Sequence, residues 1–214
     1  MKRALIVYGG WPGHQPVEFQ VWASERLSAE GVEVEAVDSL EPLEDQRRLE
    51  GFDLIVPIWT MGELSDEQEK GLKEAVRNGV GLAGWHGGMG DAFRSRPTFQ
   101  FMVGGQFVAH PGGDDVTYVV KFTGDDELTR GLSDFSITSE QYYLHVDPSN
   151  EVLATTVFSG ETHPWVAGVE MPVAWKRRWG EGRVFYSSLG HQRRDFDIPE
   201  VAELTLRGML WAAR

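Results

Sequence analysis

Residues 80–90 read Val-Gly-Leu-Ala-Gly-Trp-His-Gly-Gly-Met-Gly, and the fold is decided by how that run ends. A short apolar segment stops at Gly84-Trp85-His86-Gly87-Gly88, a turn of the form G-x-H-x-G. Strand-to-helix elbows of this shape use glycine so that a tight, strained turn can hold one side chain up at the end of a sheet. The raised residue here is His86, where a hydrolase carries serine. The chain has no cysteine, which excludes thiol chemistry and a disulfide framework together.

Upstream of the elbow, Arg3 to Tyr8 is an apolar, β-rich run closed by Gly9-Gly10 and reads as a buried first strand. Pro16 opens a helix with apolar positions Val17, Val21, Trp22 and Leu27, ended by Gly31. A second strand over 32–37, a short acidic helix over 43–49 and a third strand over 52–56 follow. Ser65-Asp-Glu-Gln68 is a capping box that starts a helix through Val76, closed by Asn78-Gly79, and Val80 to Gly84 is the fourth strand. Strands alternating with helices predict a mainly parallel sheet with helices on both faces, a three-layer α/β sandwich. Ligands of open parallel sheets sit beyond the carboxyl ends of the strands. Residues 9–14, 59–62 and 85–89 are therefore the segments where a site is expected.

Downstream the pattern changes. The sequence predicts a helix over 97–103, a glycine-rich loop from Gly104 to His110, strands over 116–122 and 151–158, and a helical turn over 127–132. A hairpin of 172–178 with 183–188 turns at Trp179-Gly-Glu-Gly182, and Pro199 opens a final helix. With no repeat or linker, 1–214 reads as one domain. Its 214 residues, 41% of them apolar, with eight Trp and eleven Phe, suffice for one sizeable core. A formal charge of −13 argues against nucleic acid and anionic membrane surfaces as partners. The apolar run Ala4 to Val7 is too short for a secretion signal, and no run approaches a membrane span. These features predict a cytoplasmic protein with a small-molecule ligand, and they are compatible with a homo-oligomer.

The six histidines are the candidate chemistry. His14, His86, His110, His145 and His191 lie in glycine-rich or strand-end contexts, and His163, before Pro164, reads as surface. Imidazole titrates near neutral pH and is the commonest metal ligand. None of the five has a spacing such as H-E-x-x-H, so each is read either as a hydrogen-bonded structural residue or as part of a site. Glu140, Gln141, Tyr142 and Tyr143 put a carboxylate, an amide and two phenols in one run. On a strand, Glu140 and Tyr142 would share one face. Glu140 is read as a partner of imidazoles or as a solvated carboxylate. Trp11, Trp59 and Trp85 follow strand ends and suit either sugar stacking or core packing. Lys176-Arg177-Arg178 reads as a solvated strand edge.

Six segments together resemble the ThuA-like, or trehalose-utilisation, family of the class I glutamine amidotransferase-like superfamily. They are Gly84 to Gly88, Gly104-Gly-Gln-Phe-Val-Ala-His110-Pro, Thr129 to Leu132, Glu140-Gln-Tyr-Tyr-Leu-His145, Pro172-Val-Ala-Trp175 and Gly182 to His191. The resemblance implies a flavodoxin-like α/β sandwich with its pocket at the elbow, and a role in sugar catabolism around keto-sugar derivatives of trehalose or related glycosides. True amidotransferases need a thiol at position 86, and Gln192-Arg193 follow His191 where their pattern has Pro and Glu, so glutamine hydrolysis is not expected. The expected catalytic residues are His86, Glu140 and His191. The expected ligand contacts are His14, Trp59, Gly87, Gly88, His110, Gln141, Tyr142 and His145. No cofactor is required by the sequence, and a divalent metal such as zinc remains open. The alternatives to an acid/base enzyme are a non-catalytic sugar-binding or regulatory module and a metal-assisted hydrolase.

Overall fold

The computed structural model describes residues 1–214. In chain order the first half runs β1 (Arg3–Gly10), α1 (Pro16–Ala29), β2 (Glu33–Val37), α2 (Gln46–Leu49), β3 (Leu54–Thr60), α3 (Asp66–Arg77), β4 (Gly81–Trp85) and α4 (His86–Gly90). The second half runs α5 (Pro97–Val103), β5 (Gly105–Ala109), β6 (Val116–Phe122), β7 (Phe135–Ser139), β8 (Tyr143–Val146), β9 (Glu151–Val157), β10 (Glu170–Trp179), β11 (Gly182–Ser187) and α6 (Pro199–Ala212).

Side chains of β1 alternate between two cores. Ala4 and Ile6 enter one apolar cluster, and Leu5 and Val7 the other. In β3, Leu54, Val56 and Ile58 face the first and Ile55 the second. A strand buried on both faces lies inside a sheet covered by helices on both sides. The covers are α1 and α6 on one face, through Phe19, Trp22, Val201, Leu204 and Met209. On the other face lie α3 and α5, through Leu72, Val76, Phe99 and Met102. Helix α3 starts at the expected capping box: Ser65 Oγ accepts from the Gln68 amide, and Gln68 Oε1 accepts from the Ser65 amide. The three-layer α/β arrangement follows.

One nine-stranded sheet runs in the order β2-β1-β3-β4-β11-β10-β9-β6-β7, and β5 pairs with β8 separately. From β2 to β11 the neighbours are parallel; β10, β9, β6 and β7 continue the sheet antiparallel. The carboxyl ends of β1, β3, β4 and β11 therefore open at one edge, and the site is built there.

Several local expectations are corrected. The glycine-rich segment 104–110 is mostly strand: Gly104 (φ 87) caps α5, and β5 then pairs with β8. Residues 127–132 do form the expected single helical turn, in which the Asp126 carbonyl accepts from the Arg130 amide at 2.8 Å. The helix expected over 43–49 splits at Asp45, whose side chain caps the Arg48 amide and starts α2 afresh. Strand β7 carried no expectation. Lys176-Arg177-Arg178 is not a strand edge, because β10 lies between β11 and β9. Lys176 pairs there with Asp126 at 2.6 Å, and Arg177 with Asp147 at 3.3 Å.

Candidate functional site around Glu140

The elbow forms because two glycines make room for it. A β-carbon on Gly84 would lie 2.7 Å from Met89, and one on Gly87 would lie 2.4 Å from the His14 ring. Trp85 is extended, and His86 turns the chain at φ 45 into the short α4. Only a rigidly held residue with a β-carbon stays in that left-handed region. The restraints are visible: Tyr186 Oη donates to the His86 carbonyl at 3.0 Å, and the His86 ring stacks on Tyr142 with centroids 4.0 Å apart. His86 Nδ1 donates to the Ser188 carbonyl at 2.8 Å, which turns Nε2 inward.

Nε2 points at Glu140, in the loop between β7 and β8, and three further imidazoles converge on the same carboxylate. Its Oε2 lies 3.1 Å from His86 Nε2, 3.4 Å from His191 Nδ1 and 4.0 Å from His14 Nε2. Oε1 lies 3.6 Å from His110 Nε2. His14 sits in the turn after β1, His191 follows β11, and His110 follows β5. His14 is oriented by Thr60 Oγ1, at the end of β3, 2.8 Å from its Nδ1. Tyr118 Oη donates to the Glu140 carbonyl at 3.0 Å and fixes the loop. His191 Nδ1 is buried without a hydrogen-bond partner.

Burial opposes the Glu140 charge, but with a proton on His86 Nε2 and positive charge on the neighbouring imidazoles the hydrogen bond and the charges outweigh it and hold the carboxyl down at about 2. Burial and the neighbouring His86 and His191 lower His14 to about 3, and burial with His86 lowers His191 as well. Burial pushes the Tyr142 and Tyr186 phenols well above their ordinary range. At neutral pH the site thus holds one carboxylate anion, with His14 neutral and both phenols protonated. His14, His86, His191 and Glu140 are all under a tenth exposed, whereas the His110 side chain is 42% exposed. Trp11, also exposed, meets the His14 ring edge-on at 4.7 Å. Incoming molecules therefore meet His110 and Trp11 first.

Of the residues expected at the site, His14, His86, His110, Glu140, Tyr142 and His191 come together, with Gly87 packed against His14 and Gly88 against the Ile58 backbone. Glu140 and Tyr142 flank His86 from a loop rather than from a strand, so the alternation argument does not apply to them. His145 does not join: it is exposed on β8 opposite Gln106. Gln141 turns away to bond Thr156 Oγ1 at 2.9 Å and lines a separate cavity of about 380 Å³ with Tyr118 and Val119. Trp59 packs across Gly9 and Gly62, and none of the cluster's ring contacts involves it. Trp85 is core, against Phe19 and Phe196. Thr60 lies in the strand-end segment 59–62, but its residue type alone does not mark it as a partner of His14. The Ser188 carbonyl, a main-chain group, leaves no mark in a sequence.

The model of the family described as trehalose utilisation, ThuA, matches residues 3–212. The chain belongs to the ThuA family. Its fold is similar to that of a putative ThuA-like protein from Bacteroides uniformis, with TM-score 0.81 at 17% identity over 99% of this chain and 91% of that one. A putative ThuA-like protein from Parabacteroides merdae gives 0.77 at 20%, covering 99% and 89%. A cytoplasmic protein from Salmonella typhimurium gives 0.69 at 11%, covering both chains fully. No curated protein matches the sequence. These likenesses carry the flavodoxin-like ThuA fold, and the family's description points to trehalose utilisation. No helix is long and apolar enough to cross a membrane.

Proposed function

We propose that this ThuA protein is a cytoplasmic enzyme of carbohydrate catabolism that takes a trehalose-type sugar or its keto derivative at the Glu140 cluster and moves a proton on it. The observation that carries the reading is one buried carboxylate set among four imidazoles, one of them open to solvent. A substrate oxygen enters beside Trp11 and His110. His110 takes a proton from a hydroxyl, or from a carbon next to a carbonyl, and Glu140 Oε1 behind it stabilises the imidazolium that forms. His86 and His191 hold the carboxylate in place. The likeness to a protein named cytoplasmic supports the compartment. The family's description supports the substrate class.

The test is turnover of trehalose and a panel of keto-disaccharides by wild type, His110→Ala and His86→Ala, with glutamine as control. Removing a general acid/base should lower kcat/KM about 10²- to 10⁴-fold, or roughly 3–5 kcal/mol of transition-state stabilisation. Binding to a non-catalytic module would weaken in the variants with no turnover in any of the three proteins. Ammonia release from glutamine would overturn the reading, because imidazole cannot form the thioester that this scaffold's amidotransferases use.

A further inference from the structure

His86 presents an unusual pairing. Its Nδ1 faces a carbonyl, which can only accept, so the proton of the neutral ring is on Nδ1 and the Nε2 lone pair points at Glu140 Oε2, 3.1 Å away. Two acceptors face one another unless positive charge lies between them. His14 is placed alike: Nδ1 is engaged by Thr60 Oγ1, a hydroxyl that can accept its proton, and Nε2 is directed at the same oxygen at 4.0 Å. His191 Nδ1 is directed there too, at 3.4 Å, buried and unpartnered. Protons alone would have to aim up to three N–H donors at the one oxygen Oε2, and His191 Nδ1 makes no hydrogen bond there. A dication serves all three together with the carboxylate.

We propose that His14, His86, His191 and Glu140 are the ligands of a divalent transition cation of the zinc class. Their ligand atoms, Nε2 of His14 and His86, Nδ1 of His191 and Oε2 of Glu140, lie within 4.8 Å of one another. A tetrahedral zinc site has bonds of about 2.0–2.2 Å and hence ligand–ligand distances of roughly 3.3 Å, so atoms already within 4.8 Å of one another need only draw inward to close the shell. Imidazole with one carboxylate selects first-row metals over calcium or magnesium. Thr60 and Ser188 supply what a histidine ligand has behind it in metal sites, a polar group on the other ring nitrogen that fixes the tautomer and the ring. His110, on the other carboxylate oxygen and exposed, stays outside the ligand set. With the cation bound, the four buried groups are ligands and proton carriage falls to His110. The cation site stands on its own geometry and does not depend on the sugar reading.

The experiment is zinc binding by the whole chain, with no sugar present. Protein stripped with a chelator is titrated with ZnCl₂ by calorimetry, and the metal content of protein dialysed against zinc is read by mass spectrometry. About one zinc per chain is expected. Glu140→Gln and His191→Ala should lose at least a hundredfold in affinity. Thr60→Val, a near-isosteric change behind a ligand, should lose about 10- to 100-fold. His145→Ala, on the exposed strand β8, should bind as wild type does. Circular dichroism checks that each variant is folded, and the Thr60→Val result stands even where a buried ligand cannot be removed without unfolding. Substitution with Co²⁺ adds a direct readout, the intense visible bands of a four-coordinate site. Absence of stoichiometric zinc in wild type, or equal affinity in wild type, Thr60→Val and Glu140→Gln, overturns the proposal. Either result leaves the sugar reading to its own assay.

Discussion

His86 is held at φ 45, a conformation that costs a residue with a β-carbon roughly 1–2 kcal/mol. Glycine carries no such cost. Replacing His86 removes the imidazole whatever is put in its place, so a comparison of two replacements isolates the backbone. His86→Gly should be more stable than His86→Ala by about 1 kcal/mol, read from urea midpoints. At an ordinary helical position the order reverses, and that result would dismiss the elbow. The strain was legible in the sequence because G-x-H-x-G is local: Gly84 and Gly87 mark where Met89 and the His14 ring must pass. The partner of His86 was legible only as a candidate. Glu140 lies 54 residues away, and nothing local separates a carboxylate bound for a cluster of imidazoles from a solvated one.

At the scale of elements, β10 shows how burial changes the meaning of a basic run. Lys176 lies between Asp126 at 2.6 Å and Glu151 at 3.2 Å, with its side chain 11% exposed. Burial raises the Asp126 pKa, but the Lys176 hydrogen bond and the Leu128 amide outweigh it and hold the group below its ordinary 3.8. A carboxyl depressed in the folded state stabilises above its unfolded value, and that contribution is lost as pH falls through the folded one. Asp126→Asn should therefore cost about 1–3 kcal/mol at pH 7, an equal amount at pH 5, and progressively less below 3.8. Urea midpoints of both proteins at pH 7, 5 and 3.5 give the comparison. A gap that stays constant down to pH 3.5 would mean that the charge contributes nothing. The parallel half was readable because β1 to β4 follow one another in sequence with helices between them, each strand ending at a turn residue. The antiparallel half was readable in β6, β9 and the β10–β11 hairpin, but not in β5, β7 and β8. Strands β5 and β8 are short and pair only with each other, so what makes them strands is a partner more than thirty residues away, not their own composition.

At the scale of the molecule, the four proposed ligands come from the turn after β1, the elbow, the β7–β8 loop and the segment after β11. They lie at positions 14, 86, 140 and 191. No one segment can keep the set together if another detaches, and a cation bound there binds the folded chain and not the unfolded one. Binding at a hundredfold excess over Kd adds about 2.7 kcal/mol to the folded state, which for a chain of this length raises Tm by roughly 5–10 °C. The gain should appear as a shift of the whole cooperative transition, because the ligand-bearing segments end three strands of one sheet or form the loop that faces them. Differential scanning calorimetry with zinc and then with chelator reads it directly. Thr60→Val, measured against its own Tm in chelator, should show a smaller rise with zinc than wild type does, since it loosens one ligand. Equal Tm with zinc and with chelator in wild type would place the cation, if any binds, on the acidic surface rather than at Glu140. A rise of the same size in Glu140→Gln would say the same.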